Sequence, residues 1–172
     1  LYRKVIDDIK ATGKKIKMLR FAAIGEPLLH QNIAEMIRLA KQADVAESVD
    51  IVTNGSMLTR ELSDALISAG LSRLRISVEG LNDEDYAKRC QCKIDYAKFV
   101  DNIAYFYKHK GDTQIYIKII DYMVQEEEDR KRFFDTFSPI CDSIAIEHLT
   151  PTIEEIDYEA VSNGMDLDKS QN

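Results

Sequence analysis

Five short runs rich in aliphatic and β-branched residues recur along the chain, at 16–22, 49–53, 71–78, 115–120 and 143–146. Helical periodicity follows each of the first four, and this alternation constrains the fold more than any other feature. Two parallel strands need a crossover of a dozen or more residues, which an intervening helix supplies. Right-handed crossovers then build a parallel sheet. In such sheets ligands bind at the C-terminal strand ends, whether the sheet stays open or closes into a barrel. The expected fold class is therefore α/β, with a parallel sheet of about five strands and helices packed on it. The strand ends carry Gly25-Glu26-Pro27, Thr53-Asn54-Gly55, Ser77-Val78-Glu79-Gly80, Asp121 and Glu147-His148. All five are expected on one rim.

The helices announce themselves by stripes and stops. Val5, Ile6 and Ile9 share a face ahead of Gly13, and Ile33, Met36, Ile37 and Ala40 follow Asn32 as N-cap. Thr59 caps a helix carrying Leu62, Leu66 and Ile67, which Gly70 ends. A short helix starts at 82–85 and reaches Arg89, and a longer one starts near Asp95 with Tyr96, Val100, Ile103 and Tyr107 on one face. Four acidic residues at 126–129 suit a helix N-terminus, and Phe133 and Phe137 pair at i,i+4 behind them. Among the strands, Leu74, Ile76 and Val78 alternate with Arg73, Arg75 and Ser77, and Ile115, Ile117 and Ile119 share a side.

Composition removes partners more than it supplies them. The chain has 172 residues, 45% of them apolar, enough for one ordinary domain with a proper core. Its net charge of −7 argues against a nucleic-acid or anionic-membrane surface, which shows as a basic excess. No apolar run approaches the roughly 20 residues of a membrane span, so the cytoplasm is the expected compartment. Cys90, Cys92 and Cys141 form no second pair that would complete a zinc set, and free structural or surface thiols are expected. His30, His109 and His148 show no metal spacing, and neither a dinucleotide nor a P-loop glycine pattern occurs.

The rim chemistry has two readings at each position. Gly25 lets the main chain approach a ligand, while Pro27 stiffens the turn and holds Glu26 extended. Carbonyl oxygens and one carboxylate suit an ammonium-bearing group; the same tripeptide also makes an ordinary stiff loop. Ser77 and Glu79 face one side of their strand and can read a polar ligand, or serve as a small interior residue and a turn acid. Arg89 is the nearest downstream cation able to grip a carboxylate with two prongs, or a solvated helix arginine. Asn54 before Gly55 is turn chemistry first.

Taken together, the run from Leu19 through Gly25-Glu-Pro-Leu-Leu-His30, then Val52-Thr-Asn-Gly-Ser-Met-Leu-Thr59, then Leu74-Arg-Ile-Ser-Val-Glu-Gly80 resembles the radical S-adenosylmethionine (radical SAM) superfamily. Within it, the likeness is to the branch with an auxiliary-cluster (SPASM-type) C-terminal domain. It covers roughly Leu19 to Pro151. The resemblance implies a partial (βα)6 TIM-like barrel holding S-adenosylmethionine and a [4Fe-4S] cluster across the strand ends. The family's Gly-Gly-Glu-Pro loop, which contacts the methionyl amine, falls on Gly25, Glu26 and Pro27, with Ile24 in place of the first glycine. The family's serine and arginine for the methionyl carboxylate map to Ser77 and Arg89, with Glu79 and Asn54 as further rim candidates. The implied chemistry is reductive cleavage of SAM to a 5′-deoxyadenosyl radical that abstracts hydrogen from a substrate.

The family's CxxxCxxC cluster loop is not in this sequence. It sits after the first barrel strand and before the helix that opens this chain, so a core fragment at 1–151 is expected, lacking that strand and loop. Residues 152–172 are expected to be a polar tail. The fragment is not expected to bind the cluster, and a missing first strand would leave an edge open to self-association. The implied partners are a peptide, saccharide or small-metabolite substrate and an electron donor such as flavodoxin or ferredoxin. The competing readings are a non-catalytic binding module on the same fold and an unrelated TIM-barrel enzyme.

Overall fold

The computed structural model describes residues 1–22 and 25–149. The tail expected at 152–172 lies outside them. Helix α1 (Tyr2–Ala11) precedes β1 (Ile16–Phe21), α2 (Ile33–Gln42), β2 (Ala46–Thr53), α3 (Arg60–Ser68) and β3 (Arg73–Val78). Then follow α4 (Asp83–Cys90), α5 (Tyr96–His109), β4 (Gln114–Ile120), α6 (Glu127–Phe137) and β5 (Ser143–Glu147). The five strands lie in sequence order, β1-β2-β3-β4-β5, and every neighbouring pair is parallel. Such an order without reversal places consecutive crossovers on the same side, which is the arrangement of a barrel wall.

Burial separates the two faces of the sheet. Leu74, Ile76 and Val78 of β3 and Ile115, Ile117 and Ile119 of β4 are fully covered. They share one core with Ile37 and Ala40 of α2, Leu66 of α3, Ile103 and Phe106 of α5, and Phe133 and Phe137 of α6. The helices therefore cover this outer face. The opposite, inner face carries Arg20, Asp50, Arg73, Arg75, Ser77, Tyr116, Lys118 and Glu147, brought side by side by the register. Burying a large apolar side chain contributes about 1.5–3 kcal/mol, so truncating Phe137, which touches both Phe99 and Phe133, would cost about 3–5 kcal/mol.

Local signals explain most element ends. Thr59 accepts from Leu62 N–H at 3.1 Å, Asn82 from Asp85 N–H at 2.8 Å and Asp95 from Lys98 N–H at 2.9 Å. Three expectations need correction. Asn32 stands at the N-cap position of α2 but makes no side-chain cap, because its backbone (φ −104°, ψ 20°) is not in the extended region that aims a side chain at the helix. Val5 is exposed, and Ile6 is the residue that α1 buries. On α5 the fully covered stripe is Phe99, Asn102, Ile103 and Phe106, with Tyr96, Val100 and Tyr107 on its flanks. A polar residue in mid-stripe hid this face. Asn102 is buried because its amide donates to the Leu58 carbonyl at 2.7 Å.

Candidate functional site at the strand ends

The parallel order puts the five loops after the strands on one rim, as the alternation required. The loop after β1 is held by its own acid. Glu26 accepts from Thr53 Oγ1 at 2.6 Å, Asn54 N–H at 2.8 Å and Leu28 N–H at 2.9 Å. Pro27 then opens a 3-10 turn, Pro27–Leu29, for which Glu26 is the N-cap. The carboxylate thus faces the protein and locks the end of β1 to the end of β2. Gly25 has φ +109°, which side-chain-bearing residues rarely adopt, and nothing lies within 4 Å of where a Cβ would stand. Beside it is a cavity of about 320 Å³ that includes Phe21, Pro27, His30 and Met36 in its lining.

Asn54 is turn chemistry in part. Its Oδ1 accepts from both the N–H and the Oγ of Ser56, at 2.9 and 2.7 Å. Thr53 Oγ1 also accepts from Gly55 N–H at 2.9 Å. One hydroxyl therefore links the β2 turn to the β1 loop.

Ser77 and Glu79 lie half-buried on the inner side of β3 and just beyond its end. Burial pushes the Glu79 carboxyl above its ordinary range, against the opposing pull of Lys118 and Arg89. Its backbone N–H donates to the buried Tyr86 hydroxyl at 3.2 Å. Arg89, on α4, reaches back over the rim: its guanidinium donates to the Met123 carbonyl at 3.3 Å and stands 5.9 Å from the Tyr122 ring centre. Ser77, Glu79 and Arg89 thus belong to one neighbourhood, whereas Gly25, Glu26 and Asn54 form a second, joined through Thr53.

One rim feature was not legible as a pair. Asp121 and His148 follow β4 and β5, which are neighbours in the sheet. His148 Nδ1–H donates to buried Asp121 at 2.6 Å, leaving the exposed imidazole oriented with Nε2 free of that bond. Adjacency of the two strand ends was the missing information. Cys90 and Cys92 flank Gln91, whose left-handed backbone (φ 51°) ends α4. Burial, then the nearby Glu79 charge, pushes the Cys90 thiol up to about 11. Cys141 sits at the N-terminal end of β5, the opposite end of the sheet. None of the three is in a disulfide, and among the described residues no three His, Cys, Asp or Glu side chains converge as a metal set. No described helix is long and apolar enough to cross a membrane.

Comparison with known proteins follows this geometry. The pattern of the Radical SAM superfamily matches residues 2–137. A GTP 3′,8-cyclase from Chlorobaculum tepidum is 42% identical over 74 residues, covering 43% of this chain and 22% of that protein. An AdoMet-dependent heme synthase from Methanosarcina barkeri is 36% identical over 81 residues, covering 47% of this chain and 22% of that protein. The chain thus matches about a fifth of the length of each. In fold it is similar to coproporphyrinogen III oxidase (HemN) from Escherichia coli, described as a radical SAM enzyme, with TM-score 0.64, 14% identity and 87% of this chain against 37% of that one. SuiB from Streptococcus suis aligns with TM-score 0.63, 14% identity and 89% of this chain against 34% of that one. The family match spans well over half of the residues and includes both neighbourhoods of the rim, and the chain belongs to the radical SAM superfamily.

Proposed function

We propose that the rim binds S-adenosylmethionine and that the longer protein is a radical SAM enzyme. The observation that carries this reading is the braced Gly25-Glu26-Pro27 loop on the same rim as Ser77, Glu79 and Arg89, inside the stretch that matches the family. The chemistry of these groups suits the ligand. Its methionyl end is a zwitterion, which takes acceptors at the ammonium and donors at the carboxylate. The open main chain at Gly25 supplies acceptors, and Ser77 and Arg89 supply donors. Glu26 acts through the loop, since its carboxylate already accepts from three protein donors. Pro27 fixes the loop's path, the amide nitrogen of Asn54 adds a donor, and Glu79 is a further acceptor whose charge its surroundings disfavour.

The residues described do not fit an iron–sulfur cluster. Cys90 and Cys92 share one turn and Cys141 lies at the far end of the sheet. In this reading the cluster thiolates come from outside the described residues. S-adenosylmethionine beside such a cluster supplies a carbon radical that removes hydrogen from a substrate, while the protein positions the reactants and keeps water out. A peptide, saccharide or small metabolite is the proposed substrate class, with a flavodoxin or ferredoxin as electron donor. The relatives differ in reaction, one named for GTP cyclisation and one for heme synthesis, so they support the chemistry more than any one substrate.

Two measurements test the reading. On this chain, calorimetric titration with S-adenosylhomocysteine should show saturable binding that Ser77→Ala and Arg89→Gln each weaken about tenfold, the loss expected for roughly one charge-assisted bond. On the full-length protein, anaerobic reconstitution with iron and sulfide followed by reduction should yield 5′-deoxyadenosine. Ligand binding without cluster absorbance or 5′-deoxyadenosine would instead make it a binding module, and failure of both measurements would reject the proposed site.

A further inference from the structure

Among the described residues, the inner face of the sheet holds more cations than carboxylates paired with them. Asp50, fully buried, is matched by Arg20 at 3.5 Å and by the Ser48 hydroxyl. Glu147 accepts from Lys118 and from the Tyr116 hydroxyl, both at 2.5 Å. Asp142 accepts from Ile115 N–H at 2.7 Å and pairs with Lys110 at 3.0 Å. Arg73 and Arg75 are left over. Among the described residues Arg73 donates to a neutral group, the Gln114 amide oxygen, at 2.8 and 3.3 Å. The Arg75 guanidinium stands over the Tyr116 ring, 4.8 Å from its centre, and its charge reaches Glu147, but among the described residues it forms no ion pair.

These two guanidinium groups, with Gln114, Tyr116, Asp142 and Ser143, line a cavity of about 440 Å³ on the inner face. Two residues along a strand span about 6.6 Å, so Arg75 lies that far below Ser77 and Arg73 about as far again. A guanidinium edge matches the two oxygens of a phosphate or carboxylate. Among the described residues the neighbouring carboxylates Asp50, Asp142 and Glu147 are each paired with another cation.

We propose that Arg73 and Arg75 form an oxyanion-binding site below the rim, which holds the phosphate or carboxylate end of the substrate while its other end stays near Ser77. This rests on the reading of the rim as the reaction site, and it restricts the substrate to anionic molecules with a reach of about 7–13 Å between the two ends.

Titration of the 172-residue chain with inorganic pyrophosphate and, separately, citrate at constant ionic strength tests it. Saturable binding of at least one probe is expected, weakened at least tenfold in Arg73→Gln/Arg75→Gln and unchanged in the exposed-helix control Lys131→Gln. Tighter pyrophosphate binding assigns the site to phosphate, and tighter citrate binding assigns it to carboxylate. The Arg73→Lys/Arg75→Lys chain keeps the charge without the forked donors. It should bind several-fold more weakly than wild type, and it serves as the readout if the glutamine variant does not fold. No saturation of either probe up to about 10 mM overturns the proposal, as does equal binding by the folded arginine variants. S-adenosylhomocysteine binding on the same samples separates the two readings: lost rim binding with intact pyrophosphate binding sinks the rim assignment alone.

Discussion

Removing the Glu26 carboxylate is the sharpest test of how the rim is built. Glu26→Ala deletes an acceptor shared by Thr53 Oγ1, Asn54 N–H and Leu28 N–H, at 2.6, 2.8 and 2.9 Å. A hydrogen bond to a charged group contributes about 1.5–3 kcal/mol, and an abandoned buried donor costs about 1–3 kcal/mol. The three donors share one carboxylate, so their losses do not add in full, and a net cost of about 3–4 kcal/mol is expected. At about 2–4 °C per kcal/mol for a chain of this length, the melting temperature should fall by about 6–16 °C. Glu26→Gln keeps the shape but turns an amide N–H₂ toward one of the donors, and should cost about 1–3 kcal/mol. Urea unfolding of both variants, of Thr53→Val and of Glu26→Ala/Thr53→Val gives the coupling energy, expected at about 1–2 kcal/mol. A Glu26→Ala chain that melts within about 1 °C of wild type, or a coupling near zero, would refute the clamp.

Three further outcomes follow from single groups. The Glu79 carboxyl is raised by burial, so the folded state holds its proton to higher pH than the unfolded chain; stability from this group is complete below the ordinary carboxylate range and is lost as pH rises through the folded value. Glu79→Gln should therefore match wild type in acid and exceed it increasingly toward neutral pH, and a pH-independent difference in urea unfolding between about pH 4 and about pH 8 defeats this. The Tyr96 hydroxyl is buried with no hydrogen-bond partner among the described residues, and burial raises it to about 12. Tyr96→Phe should leave stability unchanged or raise it by about 1 kcal/mol; a loss larger than that in thermal unfolding means the hydroxyl has a partner. Gly55 has φ +74°, and an added Cβ would stand 3.0 Å from the Phe99 ring and 3.1 Å from Ile76 Cγ2, so Gly55→Ala should cost about 2–3 kcal/mol by overpacking and backbone strain. Wild-type stability in that variant would mean the turn relaxes freely.

The sequence by itself determined the elements, their parallel alternation and the rim on which the loops meet, because periodicity and capping are local properties. Thr59, Asn82 and Asp95 cap as their spacing required, and Ile115, Ile117 and Ile119 face the helices as their alternation required. Locality also set the limit. On α5 a period of 3.6 permits two overlapping stripes, and only packing against Leu58 and Phe137 selects the one containing Asn102. The motif marked Glu26 as part of the site, but it gave no sign that the carboxylate turns inward to donors 27 and 28 residues away. The pairing of Asp121 with His148 depends on β4 and β5 being neighbours, and the surplus of Arg73 and Arg75 depends on which carboxylates the register hands to other cations. Those facts belong to the tertiary structure, because a hydrogen bond or an ion pair is decided by which groups meet across the sheet, and a linear pattern reports only which face each residue occupies.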